Sequence, residues 1–347
     1  MWVSLLATGW AAEPESPIVK SIDALASSAI AAKKIVGIGI GVMKKGEIIL
    51  AAGYGDADVE NKIKATEHTI FRIGSITKQF TAAGILLLAE RGKLSLDDEI
   101  TKYFPDFPVN GQHITLERLL SHTAGLKRNF ENYMASNPND THEQFVALFG
   151  HDPLRFPPGE MFKYSNRDYY ILGTILEKVS GQSYLDFVQQ NIFKPAGLNE
   201  TYNMADPSIS KPRAFGYRIQ DGQFTKDEDP DMKPMFSTGA IGSTVTDLLK
   251  WQTALVHNKV LSQESWRRMT KPVTLNNGSA AEYGLGLFVS QLDGHPRIHH
   301  GGYVTGFRAE LSYFPDDDVT VAILCNAGPV RQDEWADQVA RIVFAGR

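Results

Sequence analysis

The chain has 347 residues, 43% hydrophobic and 22% charged, long enough to bury a large core as two packed units or as one domain carrying an insertion. This composition excludes a disordered chain, and no apolar run reaches the roughly 18 residues expected of a membrane span. The net charge of −5 is spread over 35 basic and 40 acidic residues without long blocks, which leaves no footprint for DNA or RNA. The single Cys325 allows no internal disulfide.

In chain order, residues 1–16 (MWVSLLATGWAAEPES) combine a short apolar stretch with small residues and prolines. They read either as an export signal lacking its usual leading Lys or Arg, which would place the protein in a periplasm or outside the cell, or as a disordered end. IVGIGIGVMKKGEIILAAGYG reads as two strands around a Lys44-Lys45-Gly46-Glu47 turn. Its Gly37, Gly39 and Gly41 do not fit G-x-G-x-x-G and no helix follows, so a dinucleotide cofactor is disfavoured. Ile76 to Ala89 is apolar on nearly every side and predicts a buried helix with Ser75 and Lys78 in its first turn.

From about Leu94 the pattern becomes helical. Thr115 caps TLERLLSH, Ser165 or Asn166 caps RDYYILGTILEKVS with Gly181 as its stop, and the whole region reads as helical. Further helices are expected after Thr246 and Ser262. Strands return in YGLGLFVSQ, RIHHGGYV, FRAELSYF and VTVAILCN, the last two joined by Pro315-Asp316-Asp317-Asp318, before a closing helix DEWADQVARIVF. Cys325, within the last of these strands, reads as a buried structural thiol. The expected fold is α/β in the α+β sense: one antiparallel sheet flanked by helices and interrupted by an all-helical insertion. The expected boundaries are a sheet-and-helix domain over 17–95 plus 236–347 and a helical insertion domain over 96–235.

The chemistry begins with Ser75 and Lys78. Residues i and i+3 share a helix face, so the two side chains are neighbours one turn apart. A serine hydroxyl is a poor nucleophile until a nearby group takes its proton, and an amine desolvated among Ile and Leu has its pKa lowered enough to help. With 21 Ser and 20 Lys in the chain, about one S-x-x-K spacing is expected by chance. A second copy, Ser208-Ile209-Ser210-Lys211, lies between Pro207 and Pro212, and the latter disfavours helical geometry at Lys211. Two more constellations single out the first copy: Tyr164-Ser165-Asn166 where a new helix starts, and HHGGYVTGF on a strand before the final hairpin.

Together with FRIGSITKQFTAAGILLLAERGKLSLDDEI, LLSHTAGL, PGEMFKYSN and YGLGLF, these motifs resemble the penicillin-recognising serine hydrolases. That family includes class C β-lactamases, DD-peptidases, D-aminopeptidases and the β-lactamase-like (family VIII) carboxylesterases. The resemblance runs from about residue 17 to the end. It implies Ser75 as the acylated nucleophile and Lys78 as the amine that shares its proton. It further implies Tyr164 as general base, either as phenolate or through Lys78, and Asn166 as the residue holding Lys78 and a substrate amide. His300 matches the first position of the third motif, Gly301 follows it, and Gly302 lets substrate backbone approach. The oxyanion would sit between the N–H groups of Ser75 and Tyr303, at roughly 3 to 4 kcal/mol per donor. A small-molecule or peptide substrate and no cofactor are implied.

Other readings stand beside these. Ser75 also reads as a helix cap with Lys78 snorkelling outward, Tyr164 as a core tyrosine, Asn166 as an N-cap and Gly302 as a bulge. His295, His299 and His300 lack H-E-x-x-H or a carboxylate at ligand spacing, so no metal is expected. His299 also fits H-x-G, but strand alternation sends it to the face opposite His300. Where the family's lactamases carry Lys and then Thr or Ser, this chain has His300 and Gly301, which disfavours efficient β-lactam hydrolysis. Arg297 and Arg308 are the nearby candidates for a substitute charge. An acylated sensor that does not turn over is the alternative from another functional class; it would be expected to carry a membrane anchor.

Overall fold

The computed structural model describes residues 16–128, 139–206, 209, 211–328 and 330–346. The expected signal at 1–16 therefore lies outside the described residues except for Ser16, and so does Ser208 of the second S-x-x-K.

Lys45 and Gly46 take positive φ values of 52° and 78°, the two-residue turn that the hairpin needs to join β1 (Gly37–Lys44) to β2 (Glu47–Asp58). With β3 (Ile63–Lys64) these form one half of a seven-stranded antiparallel sheet. The other half comes from the far end of the chain: β9 (Phe288–Leu292), β10 (His295–Val304), β11 (Phe307–Phe314) and β12 (Val319–Cys325). The strand order is β3-β2-β1-β12-β11-β10-β9, so strands from the two ends of the sequence meet at the β1–β12 pair, with Ile40 opposite Ile323. Asp318 supplies the positive φ for the β11–β12 turn.

Strand alternation splits β1 between two cores. Ile38, Ile40 and Val42 join Val321, Ile323 and Cys325 under helix α1 (Pro17–Ala31) and the closing helix Gln332–Ala345. Burial pushes the Cys325 thiol up, as expected of a structural thiol. The opposite face of β1 receives the helix Val245–Val256, and a Cβ on Gly41 would lie 3.2 Å from Leu249 Cδ1. The glycines of GIGIG thus make room for a packed helix.

On that second face lies α2 (Thr77–Glu90), buried without a break from Thr77 to Leu88. It packs against the helix Asn166–Ser180, which Ser165 caps by accepting the Asp168 N–H and which Gly181 ends at φ 70°. Burying Phe80, Ile85, Leu86, Leu87 and Leu88 contributes roughly 1.5–3 kcal/mol each, enough to hold a helix whose first turn also buries an amine.

The expected elements differ from the observed ones in four places. Residues 96–235 are not all helical: Asp221 and Gly222, at φ 51° and 71°, turn β6 (Tyr217–Gln220) into β7 (Gln223–Lys226). Short strand pairs tie this region to its flanks: β5 (Tyr202–Asn203) joins β8 (Ile241–Ser243), which also pairs with β4 (Phe71–Arg72), and β13 (Ala327–Gly328) lies parallel to β6. The helix expected after Thr246 starts slightly earlier, at Val245, with Thr244 as its cap. The strand expected from Tyr283 begins only at Phe288, because Gly286 turns the backbone at φ 83° and Tyr283 is drawn into the core. Helix α1, with Pro17 in its first turn, carried no sequence expectation.

Candidate active site

The short 3₁₀ turn Gly74–Ile76 delivers Ser75 to the entrance of α2. Gly74 sits at φ 51°, and a Cβ there would come 2.7 Å from Tyr303 N, so β10 runs directly against this turn. Its partner in the contact is Gly302, whose added Cβ would fall 1.9 Å from Ile73 O. These two glycines let the strand and the turn that carries Ser75 approach closely.

Lys78 is fully buried, and its Nζ has three partners: Ser75 Oγ at 3.1 Å, Asn166 Oδ1 at 3.0 Å and Thr238 O at 2.9 Å. Burial holds the amine well below the ordinary lysine range, the Arg128 guanidinium lowers it further, and only an ionised Asp168 would act in the opposite sense. The carbonyl and amide oxygens can only accept. A neutral amine gives its two N–H groups to them and keeps its lone pair for the Ser75 hydroxyl.

The segment before helix Asn166–Ser180 places Tyr164 over this amine, with Nζ 4.8 Å from the ring centroid. The Tyr164 hydroxyl is buried without a hydrogen bond among the described residues. Burial pushes the phenol up, while Ser75 and Arg128 pull it down more weakly. It is therefore a phenol, not a phenolate, in the resting protein. Asn166 is the first residue of its helix and not the cap, so its amide is free to reach Lys78.

The other wall is β10. Two-residue turns close both of its hairpins, so Val304 pairs with Phe307 and His295 with Leu292 through hydrogen bonds. Counting from either turn, the even residues bond to β11 and the odd residues point toward β9. Because β9 ends opposite His299, the N–H and C=O groups of Gly301 and Tyr303 lie on an open edge. The Tyr303 N–H thus opens beside the turn that carries Ser75.

His300 is buried beside Tyr164, with ring centroids 6.0 Å apart. Its Nδ1 lies 2.7 Å from Gly301 O and must donate, which leaves Nε2 to accept the Tyr283 hydroxyl at 3.0 Å. Burial and the neighbouring Lys78 hold the imidazole down at about 3, so it is neutral. His299 does point the opposite way, to Glu310 at 2.8 Å, and His295 pairs with Asp317 at 2.6 Å. A Cβ on Gly301 would point there too, 2.9 Å from Glu310 Oε2.

Of the two arginines offered as a substitute charge, Arg297 is spent on Glu310, Ser312 and Asp337, and Arg308 lies over the Tyr303 ring at 3.7 Å. The cation beside Lys78 is instead Arg128, exposed, with its guanidinium 5.6 Å from the Tyr164 ring centroid. The sequence reading did not single it out, nor His122 and Asp168 beneath Tyr164; LLSHTAGL, with a histidine between leucines and a glycine, was the signal available for His122.

The chain is similar to known proteins over most of its length. The Beta-lactamase family model matches residues 22–344. A penicillin-binding protein of Bacillus subtilis (strain 168) is 32% identical over 301 residues, which cover 81% of this chain and 66% of that protein. The octameric penicillin-binding protein homologue from Pyrococcus abyssi superposes with a TM-score of 0.83 at 28% identity, covering 94% of this chain and 77% of that one. The D-amino acid amidase from Ochrobactrum anthropi SV3, in complex with L-phenylalanine amide, gives 0.83 at 26% identity, covering 96% and 100%. Among the curated relatives the chain spans 60% to 68% of their length.

Proposed function

Since the chain belongs to the β-lactamase family, we propose that it is a serine hydrolase that cleaves ester or amide bonds through an acyl-enzyme on Ser75. The observation that carries this reading is the Lys78 amine, which is buried, 3.1 Å from Ser75 Oγ, and otherwise bonded to two oxygens that can only accept, Asn166 Oδ1 and Thr238 O. Lys78 takes the proton as Oγ attacks the substrate carbonyl. The oxyanion sits between the Ser75 and Tyr303 N–H groups. The proton then passes through the Tyr164 hydroxyl to the departing oxygen or nitrogen, and water enters along the reverse path to release the acid.

The relatives include a penicillin-binding protein and a D-amino acid amidase, and both kinds of substrate carry an acyl group at the scissile bond. Two features support esters and amides over β-lactams. His300 contributes no charge, and a side chain at position 301 would face Glu310. The test is turnover of a chromogenic cephalosporin and of short p-nitrophenyl esters. Release that continues past one equivalent per protein supports the hydrolase. Release that stops at one equivalent supports a sensor that stays acylated.

A further inference from the structure

We propose that His122 and Asp168 form an uncharged, hydrogen-bonded pair that positions Tyr164 and Asn166 over Ser75. The inference rests on the acyl-enzyme reading above and assigns two residues that touch no substrate.

His122 holds the segment that carries Tyr164 from both sides. Its carbonyl accepts the Lys163 N–H at 3.0 Å, and its Nδ1 accepts the Ser165 N–H at 3.3 Å. Its ring lies against the Tyr164 ring, with centroids 4.3 Å apart. The residue is fully buried and keeps a left-handed backbone at φ 57°, a strained conformation for a non-glycine residue. The turn after helix Leu116–Leu120 imposes it, through Thr123 N–H bonding back to Arg118 O.

The same geometry fixes where the protons are. Asp168 Oδ2 lies 2.9 Å from Nδ1, and an Nδ1 that accepts from Ser165 carries no proton. The carboxyl is then the donor, sharing the single Nδ1 lone pair with the Ser165 N–H, so Asp168 is an acid and the His122 proton lies on Nε2, which has no hydrogen-bond partner among the described residues. Burial acts the same way on both groups, pushing Asp168 up and His122 down.

The groups that face the pair are Lys78 from α2, Arg128, Tyr164, Arg167, Tyr169, Tyr283 and His300. An ionised Asp168 in this setting would draw Lys78 toward its ammonium form and remove the lone pair that Ser75 needs. An apolar residue in its place would release Ser165. A carboxyl that keeps its proton does neither.

The test begins with the unmodified protein, in which a fluorophosphonate must label Ser75; without that label the acyl-enzyme reading itself fails. With labelling established, His122→Ala should lower kcat about tenfold to a hundredfold, the size expected of a misplaced reacting group, with KM changed by less than about threefold. His122→Asn should recover most of the loss, because its amide oxygen replaces Nδ1 and asparagine tolerates positive φ. Asp168→Ala should fall comparably, and Asp168→Asn should recover most of it, since an amide N–H replaces the acid O–H. In the unmodified protein, nitrogen NMR should show His122 as the Nε2–H tautomer. Parent-like kcat in His122→Ala, equal loss in Asp168→Asn and Asp168→Ala, or an Nδ1–H tautomer would each overturn the pair as described.

Discussion

Gly302 lies so close to Ile73 that a Cβ on the glycine would fall 1.9 Å from the Ile73 carbonyl oxygen. That contact sets how far the Tyr303 N–H stands from Ser75, because the Ile73 carbonyl, on a buried residue and bonded to the Ile76 N–H, cannot move aside cheaply. Gly302→Ala should therefore push β10 away from the nucleophile turn and lower the acylation rate by about a hundredfold or more, at a displacement near 1 Å. Fluorophosphonate labelling of Ser75, followed by intact mass against time, measures this directly; a parent-like rate would mean that the two donors do not act together.

Lys78→Arg should abolish most turnover. A guanidinium does not give up its proton in a protein, so it cannot take one from Ser75, although it keeps charge and length. The same reasoning sets the pH dependence of the parent: activity should rise with pH through the lowered Lys78 pKa and fail on the acid side, where the amine is an ammonium. Near-normal kcat in Lys78→Arg would remove the amine from the mechanism.

Stability should also fall on the acid side, by a separate route. His300 has its pKa lowered to about 3 in the fold against 6.5 for an ordinary histidine. Between those values the unfolded chain binds a proton that the folded protein does not, so stability present above the unfolded pKa is lost as pH falls. One such histidine contributes a slope of up to about 1.4 kcal/mol per pH unit. His300→Gln, which keeps an acceptor for Tyr283, should flatten the denaturation midpoint against pH between about pH 4 and pH 6; an unchanged slope would show that the acid sensitivity comes from elsewhere.

How much of this was legible in the sequence depended on how local each constraint is. Ser75 and Lys78 are one turn apart, so helix periodicity alone places them together, and alternation along β10 separates His299 from His300 just as directly. The β1–β2 and β11–β12 hairpins were readable from their turns. The β6–β7 hairpin carried an equally plain Asp221-Gly222 signal but sat inside a region dominated by helical periodicity, which hid it. That Arg128, His122 and Asp168 gather beside Lys78 was beyond reach for a different reason, although LLSHTAGL marked His122 itself. They are far from Lys78 in sequence, and only the packing of three separate segments makes them its neighbours. What a side chain at position 301 would meet, the Glu310 carboxylate across the β10–β11 pair, is likewise a contact no single-strand pattern contains.

The last prediction concerns substrate. Hydrolysis of p-nitrophenyl butyrate should exceed that of nitrocefin in kcat/KM, because the third motif supplies neither cation nor hydroxyl for a β-lactam carboxylate. A charge-assisted hydrogen bond contributes roughly 1.5 to 3 kcal/mol, or about tenfold to over a hundredfold in selectivity when it is missing. A hydroxyl added at position 301 should not restore it. In Gly301→Thr the new side chain would meet Glu310 Oε2 instead of substrate, so the ratio of the two activities should stay as in the parent. The cation left on the described side of the entrance is Arg128, exposed above Tyr164 and without an ion-pair partner among the described residues. Arg128→Ala should therefore reduce kcat/KM for nitrocefin by about tenfold while leaving the neutral ester within about twofold, since only the anionic substrate draws on that charge. If the parent favours nitrocefin, or if both substrates fall together in Arg128→Ala, then carboxylate recognition does not run through these residues, and the preference for neutral acyl groups is wrong.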